Sequence, residues 1–197
     1  MDAKNVKIWC FIGPSGTGKT HLTNRAVSYF NAQGENNIGT IVSHTTRAMR
    51  AGETDGVDYY FISKEEFDKL DKAESTCYAG NYYCISKEEV SRILNNYKKV
   101  FVVVEINGYR QLKEAYGDEA ASVFIETPEE LLEERLKMRG DSPENIAIRM
   151  ANLKQSNEME NKKYCDFVFK NEFPAEPEEK TLKDFYEMCI NDLKLFD

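Results

Sequence analysis

The chain alternates short, almost unbroken apolar runs with longer stretches in which apolar positions recur at helical spacing. Val6–Ile12 (VKIWCFI), Thr40–Ser43 (TIVS), Val100–Ile106 (VFVVVEI), Ser122–Glu126 (SVFIE) and Asp166–Lys170 (DFVFK) read as strands, and most are too continuously apolar to keep one face in water. A sheet built from them must be covered on both sides. Between the runs stand helix starts. Ser63 with Glu66, Ser86 with Glu89, and Thr127 with Pro128 and Glu130 are spaced as capping boxes, the last with proline at the first helical position. Strand then helix, repeated, predicts an α/β fold of three layers around a mainly parallel central sheet.

Two regions break the rhythm. Residues from about 45 to 83 are rich in Gly, Asp and Tyr, with short strand-like pieces around one helix, as in an inserted subdomain. Residues from about 137 to 154 carry RGDSPEN, whose Ser142 and Pro143 start a long polar helix. No internal repeat or interdomain linker is visible, and Glu172–Lys180 (EFPAEPEEK) reads as a surface connection before the last helix.

Composition narrows the chemistry. The 197 residues suit a single domain, and 26 Lys and Arg against 34 Asp and Glu give a net charge of -8. That balance argues against a general nucleic-acid or anionic-membrane surface, so any bound anion must sit in a local cationic pocket. Five widely spaced cysteines and two histidines suit neither a disulfide framework nor a metal site built on imidazole. Without a signal-like N-terminus or a long apolar span, the expectation is a soluble cytoplasmic protein.

Directly after the first strand, Gly13–Thr20 reads GPSGTGKT, which satisfies G-x-x-x-x-G-K-[ST], and a helical pattern follows at once. Each part has a task. Gly13, Ser15, Gly16, Thr17 and Gly18 form a loop whose backbone N–H groups can curl around phosphate oxygens. Lys19 reaches the outer phosphates, and the Thr20 hydroxyl binds Mg2+. The GTPase elements D-x-x-G and N-K-x-D do not occur, which leaves kinases and ATPases. Further on, SHTTRAMR places Arg47 and Arg50 three residues apart with no carboxylate between them. A hydroxyl acceptor usually wants a carboxylate base, whereas a phosphate monoester dianion wants cations that bring two polyanions together, which arginine forks do best.

From these arginines onward the sequence resembles the guanylate kinase family, almost from end to end. The matching blocks are the phosphate loop, SHTTRAMRAGETDGVDYYFIS, AGNYY, EINGYRQLK, EELLEERLKMRG, IRM and FVFKNEF. The resemblance implies a single P-loop nucleoside monophosphate kinase domain, monomeric or homodimeric. Its core would be residues 1–43, 84–136 and 155–197, its acceptor-binding insertion about 44–83 and its lid about 137–154. It implies transfer of the γ-phosphoryl of ATP to GMP or dGMP with Mg2+. Arg47, Arg50, Tyr59 and Tyr83 would hold the acceptor phosphate, and Ser43 and Glu74 would read the base. Arg139 and Arg149 would reach the transferred group, Glu105 would hold magnesium through water, and Asn171 would lie near the adenine. Arg135 joins the lid cluster, with Leu131 and Leu132 one turn back and so no carboxylate at helical pairing distance before it.

Two base-reading positions depart from the family. NYYCIS places Ile85 where a small hydroxyl residue is usual. An ungapped alignment on GYRQLK puts Val103 in place of a base-reading aspartate, whereas a two-residue deletion would bring Glu105 there. The acceptor is therefore GMP, or a monophosphate whose base lacks the exocyclic amino group. A base-free phosphosugar acceptor and a non-catalytic interaction domain also remain open, although the intact Lys19 and Arg139 speak against the latter.

Overall fold

A computed structural model of the chain describes residues 2–34, 38–50, 52–78, 80–138, 140–172 and 178–196. Along it run β1 (Ile8–Ile12), α1 (Lys19–Ala32), β2 (Ile38–Thr40), β3 (His44–Thr45), β4 (Tyr60–Phe61), α2 (Lys64–Lys69), β5 (Lys72–Tyr78), β6 (Asn81–Ser86), α3 (Lys87–Leu94), β7 (Lys99–Val103), α4 (Ile106–Tyr116), β8 (Ala120–Glu126), α5 (Glu129–Met138), α6 (Pro143–Ser156), β9 (Phe167–Lys170) and α7 (Glu178–Asn191).

The apolar runs form one parallel sheet in the order β2-β7-β1-β8-β9. Alternate side chains leave its two faces, which is why the runs carry no polar face. Trp9, Phe11 and Phe101 pack beneath α1 and α7 with Phe30 and Phe185, while Ile8, Cys10, Ile12, Val100 and Val102 pack beneath α3 and α4 with Val90 and Leu112. Phe11 meets Phe101 edge-on at 4.8 Å, and Phe169 meets Phe185 at 5.0 Å. Removing one such ring would cost about 3 to 5 kcal/mol.

Strand ends differ from the sequence reading in ways that set up the cleft. β2 is Ile38–Thr40, because the chain leaves the parallel sheet at Ile41 and enters a second sheet at His44. Glu89, 4% exposed, holds this crossing: its Oε1 accepts the Val42 N–H at 3.3 Å. Its carboxylate also takes Arg92 Nε at 2.8 Å and Nη2 at 2.9 Å. Ser86 caps α3 through the Glu89 N–H at 3.1 Å, but the Glu89 side chain is spent on the crossing rather than on the second half of a capping box. Ser63 and Glu66 close a full box. Thr127 is buried and accepts Arg135 Nη1 at 3.3 Å, and α5 begins beyond Pro128. β7 stops at Val103, so Ile106 opens α4 instead of ending a strand.

The second sheet has the order β4-β3-β6-β5 and runs on to Ser86, past the boundary expected at 83. It is docked on the core by α4, where Gln111 accepts the Ser75 N–H and donates to the Ser75 carbonyl, each at 3.1 Å.

Candidate nucleotide cleft

Between the two sheets lies a cleft of about 800 Å³. Its floor is the loop from Gly13 to Thr20, which links β1 to α1. Gly13 has φ +145°, and a Cβ there would stand 2.6 Å from the Ile125 carbonyl oxygen, so glycine is demanded by both conformation and space. Lys19 folds back over the loop, donating to the Gly13 and Pro14 carbonyls at 2.6 and 2.7 Å. Thr20 is exposed at the start of α1 and lines the cleft, where a helix N-terminus favours anions.

A guanidinium and an amide frame one side of the loop. Arg135 donates Nη2 to Asn171 Oδ1 at 3.0 Å and Nη1 to the Gly16 carbonyl at 3.4 Å, while Asn171 Nδ2 donates to the Thr17 carbonyl at 3.0 Å. The oxygens of Gly16, Thr127 and Asn171 that Arg135 meets are neutral, and burial pulls its pKa down. From the helix α6, Arg149 donates Nη1 to Ser15 Oγ at 3.0 Å and pairs Nε with Asp141 at 3.2 Å. Asp141 belongs to the turn before α6, whose N-cap Ser142 accepts the Asn145 N–H at 3.3 Å.

Across the cleft stand Arg47 and Arg50, just beyond β3, with Tyr59 and Tyr83, whose rings meet edge-on at 5.9 Å. Arg47 lies over Tyr59 at 5.4 Å and Phe61 at 5.6 Å. Its partner is Glu53, a residue the sequence reading missed. The two form a bidentate pair with side chains 12% and 18% exposed, which raises the pKa of Arg47 and lowers that of Glu53. The only clue lay in the loop itself, where the carboxylate comes three residues after Arg50 and folds back.

Deeper in, Glu74 is 4% exposed, and burial pushes its carboxyl up to about 7, with the Glu105 charge adding to the rise. A Cβ on Gly108 would lie 2.9 Å from Glu74 Oε2, so α4 can approach the carboxylate only with glycine there. Glu105 is itself raised by burial and by Glu158, against a lowering pull from Lys19. It thus lies electrostatically between Glu74 and the phosphate loop. Ser43 and Val103 also line the cleft.

Two expected site residues show no side chain to the cleft. Ile85 is fully buried with Ile41, Ala73 and Val90, because β6 has by then passed from the cleft into the core, so it is a core residue and not a base contact. Thr17 turns its hydroxyl inward onto the Pro14 carbonyl at 3.0 Å and shows no side chain to the cleft. Arg139 lies outside the described residues. Cys84, next to Ile85, is likewise buried, and its thiol is pushed up to about 12, too high for a reactive thiolate.

A family model described as guanylate kinase matches residues 5–188. The guanylate kinase of Wolinella succinogenes is 37% identical over 205 aligned positions, covering 100% of this chain and 91% of that protein. That of Desulfotalea psychrophila is 35% identical over 175 positions, covering 84% and 81%. The crystal structure of guanylate kinase from Anaplasma phagocytophilum covers 98% of this chain and 88% of its own with a TM-score of 0.67; at 22% identity it speaks for the fold.

Proposed function

The chain belongs to the guanylate kinase family, and from that premise we propose that it transfers the γ-phosphoryl of ATP to GMP, giving ADP and GDP. The observation that carries this reading is the cleft itself. A phosphate loop with Lys19 and Arg149 faces a second cationic group, Arg47 and Arg50 with two tyrosines, across one continuous cavity. Such an arrangement suits two polyanions held end to end, where the work lies in positioning and charge stabilisation.

On the donor side, the loop amides and Lys19 take the β- and γ-phosphates, and Asn171 with Arg135 borders the adenine end. Lys19 must leave the Gly13 and Pro14 carbonyls to do so. Arg149, whose Nη1 already reaches Ser15 of the phosphate loop at 3.0 Å, is the residue proposed to meet the transferred group, and Arg139 joins it by family resemblance. On the acceptor side, Arg47, Arg50, Tyr59 and Tyr83 hold the GMP phosphate, whose own oxygen is the nucleophile and needs no general base.

Guanine offers N–H donors at N1 and N2. Ionised Glu74 is an acceptor for both, Ser43 lines the same cleft, and Val103 offers no acceptor. The apolar Val103 thus leaves guanine recognition to Glu74 and Ser43.

Thr20 and Glu105 are hard oxygen donors in the cleft, the set that suits Mg2+ bridged by nucleotide phosphates and water. Bound there, the ion would withdraw charge from the β- and γ-phosphoryl oxygens. The five cysteines are free thiols, in keeping with a reducing cytoplasm.

The test is ADP release with GMP, dGMP, IMP, AMP and pyrimidine monophosphates. GMP is expected to stimulate it most, and stimulation by none of them above the ATP-only rate would end the kinase reading.

A further inference from the structure

One carboxylate organises both acceptor-side arginines. Glu53 takes the end of the Arg47 fork with both oxygens, Oε2 accepting Nη1 at 3.0 Å and Oε1 accepting Nη2 at 2.7 Å. The same Oε2 accepts the backbone N–H of Arg50 at 2.7 Å, so the two arginine positions are linked through a single residue. The Ala48 carbonyl accepts a further N–H from Nη1 at 2.7 Å.

A guanidinium has five N–H donors in a fixed plane. With both protons of Nη1 and one of Nη2 engaged by Glu53 and Ala48, Nε–H and the second Nη2–H are left for the Tyr83 hydroxyl and a phosphate to share. These lie parallel along the other edge and make a second two-pronged donor, the shape that matches a phosphate. The Tyr83 hydroxyl also bears on this guanidinium, and the Tyr59 and Phe61 rings pack against it. Glu53 therefore leaves Arg47 a working fork and fixes which fork it is.

We propose that Glu53 is a positioning residue for the acceptor: by gripping the Nη1/Nη2 end of Arg47 and the Arg50 backbone together, it presents the Nε/Nη2 edge of Arg47 to the phosphate of the incoming nucleoside monophosphate. This rests on the reading of Arg47 as a ligand of that phosphate. Glu53 itself touches no reacting atom.

Steady-state KM values for GMP and ATP, with thermal unfolding, test it in four variants: E53Q, E53D, R47Q and E53Q/R47Q. In E53Q the amide nitrogen faces a guanidinium nitrogen, the grip is lost, and KM for GMP should rise about tenfold, the worth of one charge-assisted contact. KM for ATP should not move. E53D keeps the charge with a shorter reach and should fall between parent and E53Q. In the R47Q background, E53Q should add nothing, since there is no fork left to orient.

An unchanged KM for GMP in E53Q, or an equal penalty with and without Arg47, overturns the proposal, the second result marking a loop brace only. Should E53Q fold poorly, E53D decides alone, and an unaltered KM for GMP there overturns it too. If R47Q leaves GMP use intact, the role of Arg47 itself fails; if R47Q impairs it and E53Q does not, only the role of Glu53 does.

Discussion

Through Glu74, pH reaches the acceptor half of the cleft. Its carboxyl keeps a proton up to about 7 in the folded protein, while the unfolded chain releases it near the ordinary 4.5. Across that window the folded state binds more protons than the unfolded one, so stability of the nucleotide-free protein should fall as pH rises from 4.5 to about 7. A thermal unfolding series should show this decline, and Glu74→Gln should flatten it. Guanine donors need the ionised carboxylate, so kcat/KM for GMP should climb through neutral pH in the parent and lose that climb in Glu74→Gln. A variant with the parent's profile would remove Glu74 from base recognition. At Lys19 the expectation is simpler: Lys19→Met should cut turnover by roughly 10²- to 10³-fold, the usual scale for losing one charge-stabilising donor, with the fold intact by circular dichroism. Lys19 was legible in the sequence because its chemistry is packed into a contiguous motif, whereas Glu74 was named only through the family resemblance. Glu53 was not, since its partnership with Arg47 exists only after the loop turns back. Ile85 was misplaced because a residue two positions from Tyr83 can still lie under a different roof.

At the scale of elements, long apolar runs announced the parallel strands, while the two-residue strands β3 and β4 had no pattern to announce. Their pairing is decided by neighbours: His44 lies opposite both Tyr60 and Cys84, contacts no local propensity could disclose. The same holds for β2, whose start before Thr40 depends on Gly39 fitting against Ile93 and Tyr97, where a Cβ would fall within 2.7 Å of both side chains. Gly108 is the element-level counterpart of Glu74, being the point where α4 is thinned to admit the carboxylate. Gly108→Ala should displace Glu74 Oε2, which stands 2.9 Å from the new methyl position, and raise KM for GMP while KM for ATP holds. Equal effects on both nucleotides would mean that the helix, and not the base site, had moved.

For the molecule as a whole, a net charge of -8 is set against a cleft that gathers five cations, Lys19, Arg47, Arg50, Arg135 and Arg149, together with the carboxylates Glu53, Asp58, Glu74, Glu105 and Glu158. Two polyanions bound at its opposite ends should draw the sheets and α6 together, excluding water that would otherwise hydrolyse ATP. Small-angle scattering with GMP and a non-hydrolysable Mg-ATP analogue should give a smaller radius of gyration than either ligand alone; identical radii would rule closure out. The strand β6 sets a limit on how freely this architecture can be rearranged. It carries Tyr83 into the cleft, then Cys84 and Ile85 into the main interior, and ends as the cap of α3, whose Glu89 grips the crossing at Val42. Acceptor recognition is thus not a detachable cassette. A chimera joined at residue 83 would strand a borrowed loop on a foreign foundation, whereas one whose seam falls beyond α3 would inherit the strand, the helix and the pivot as a single heirloom.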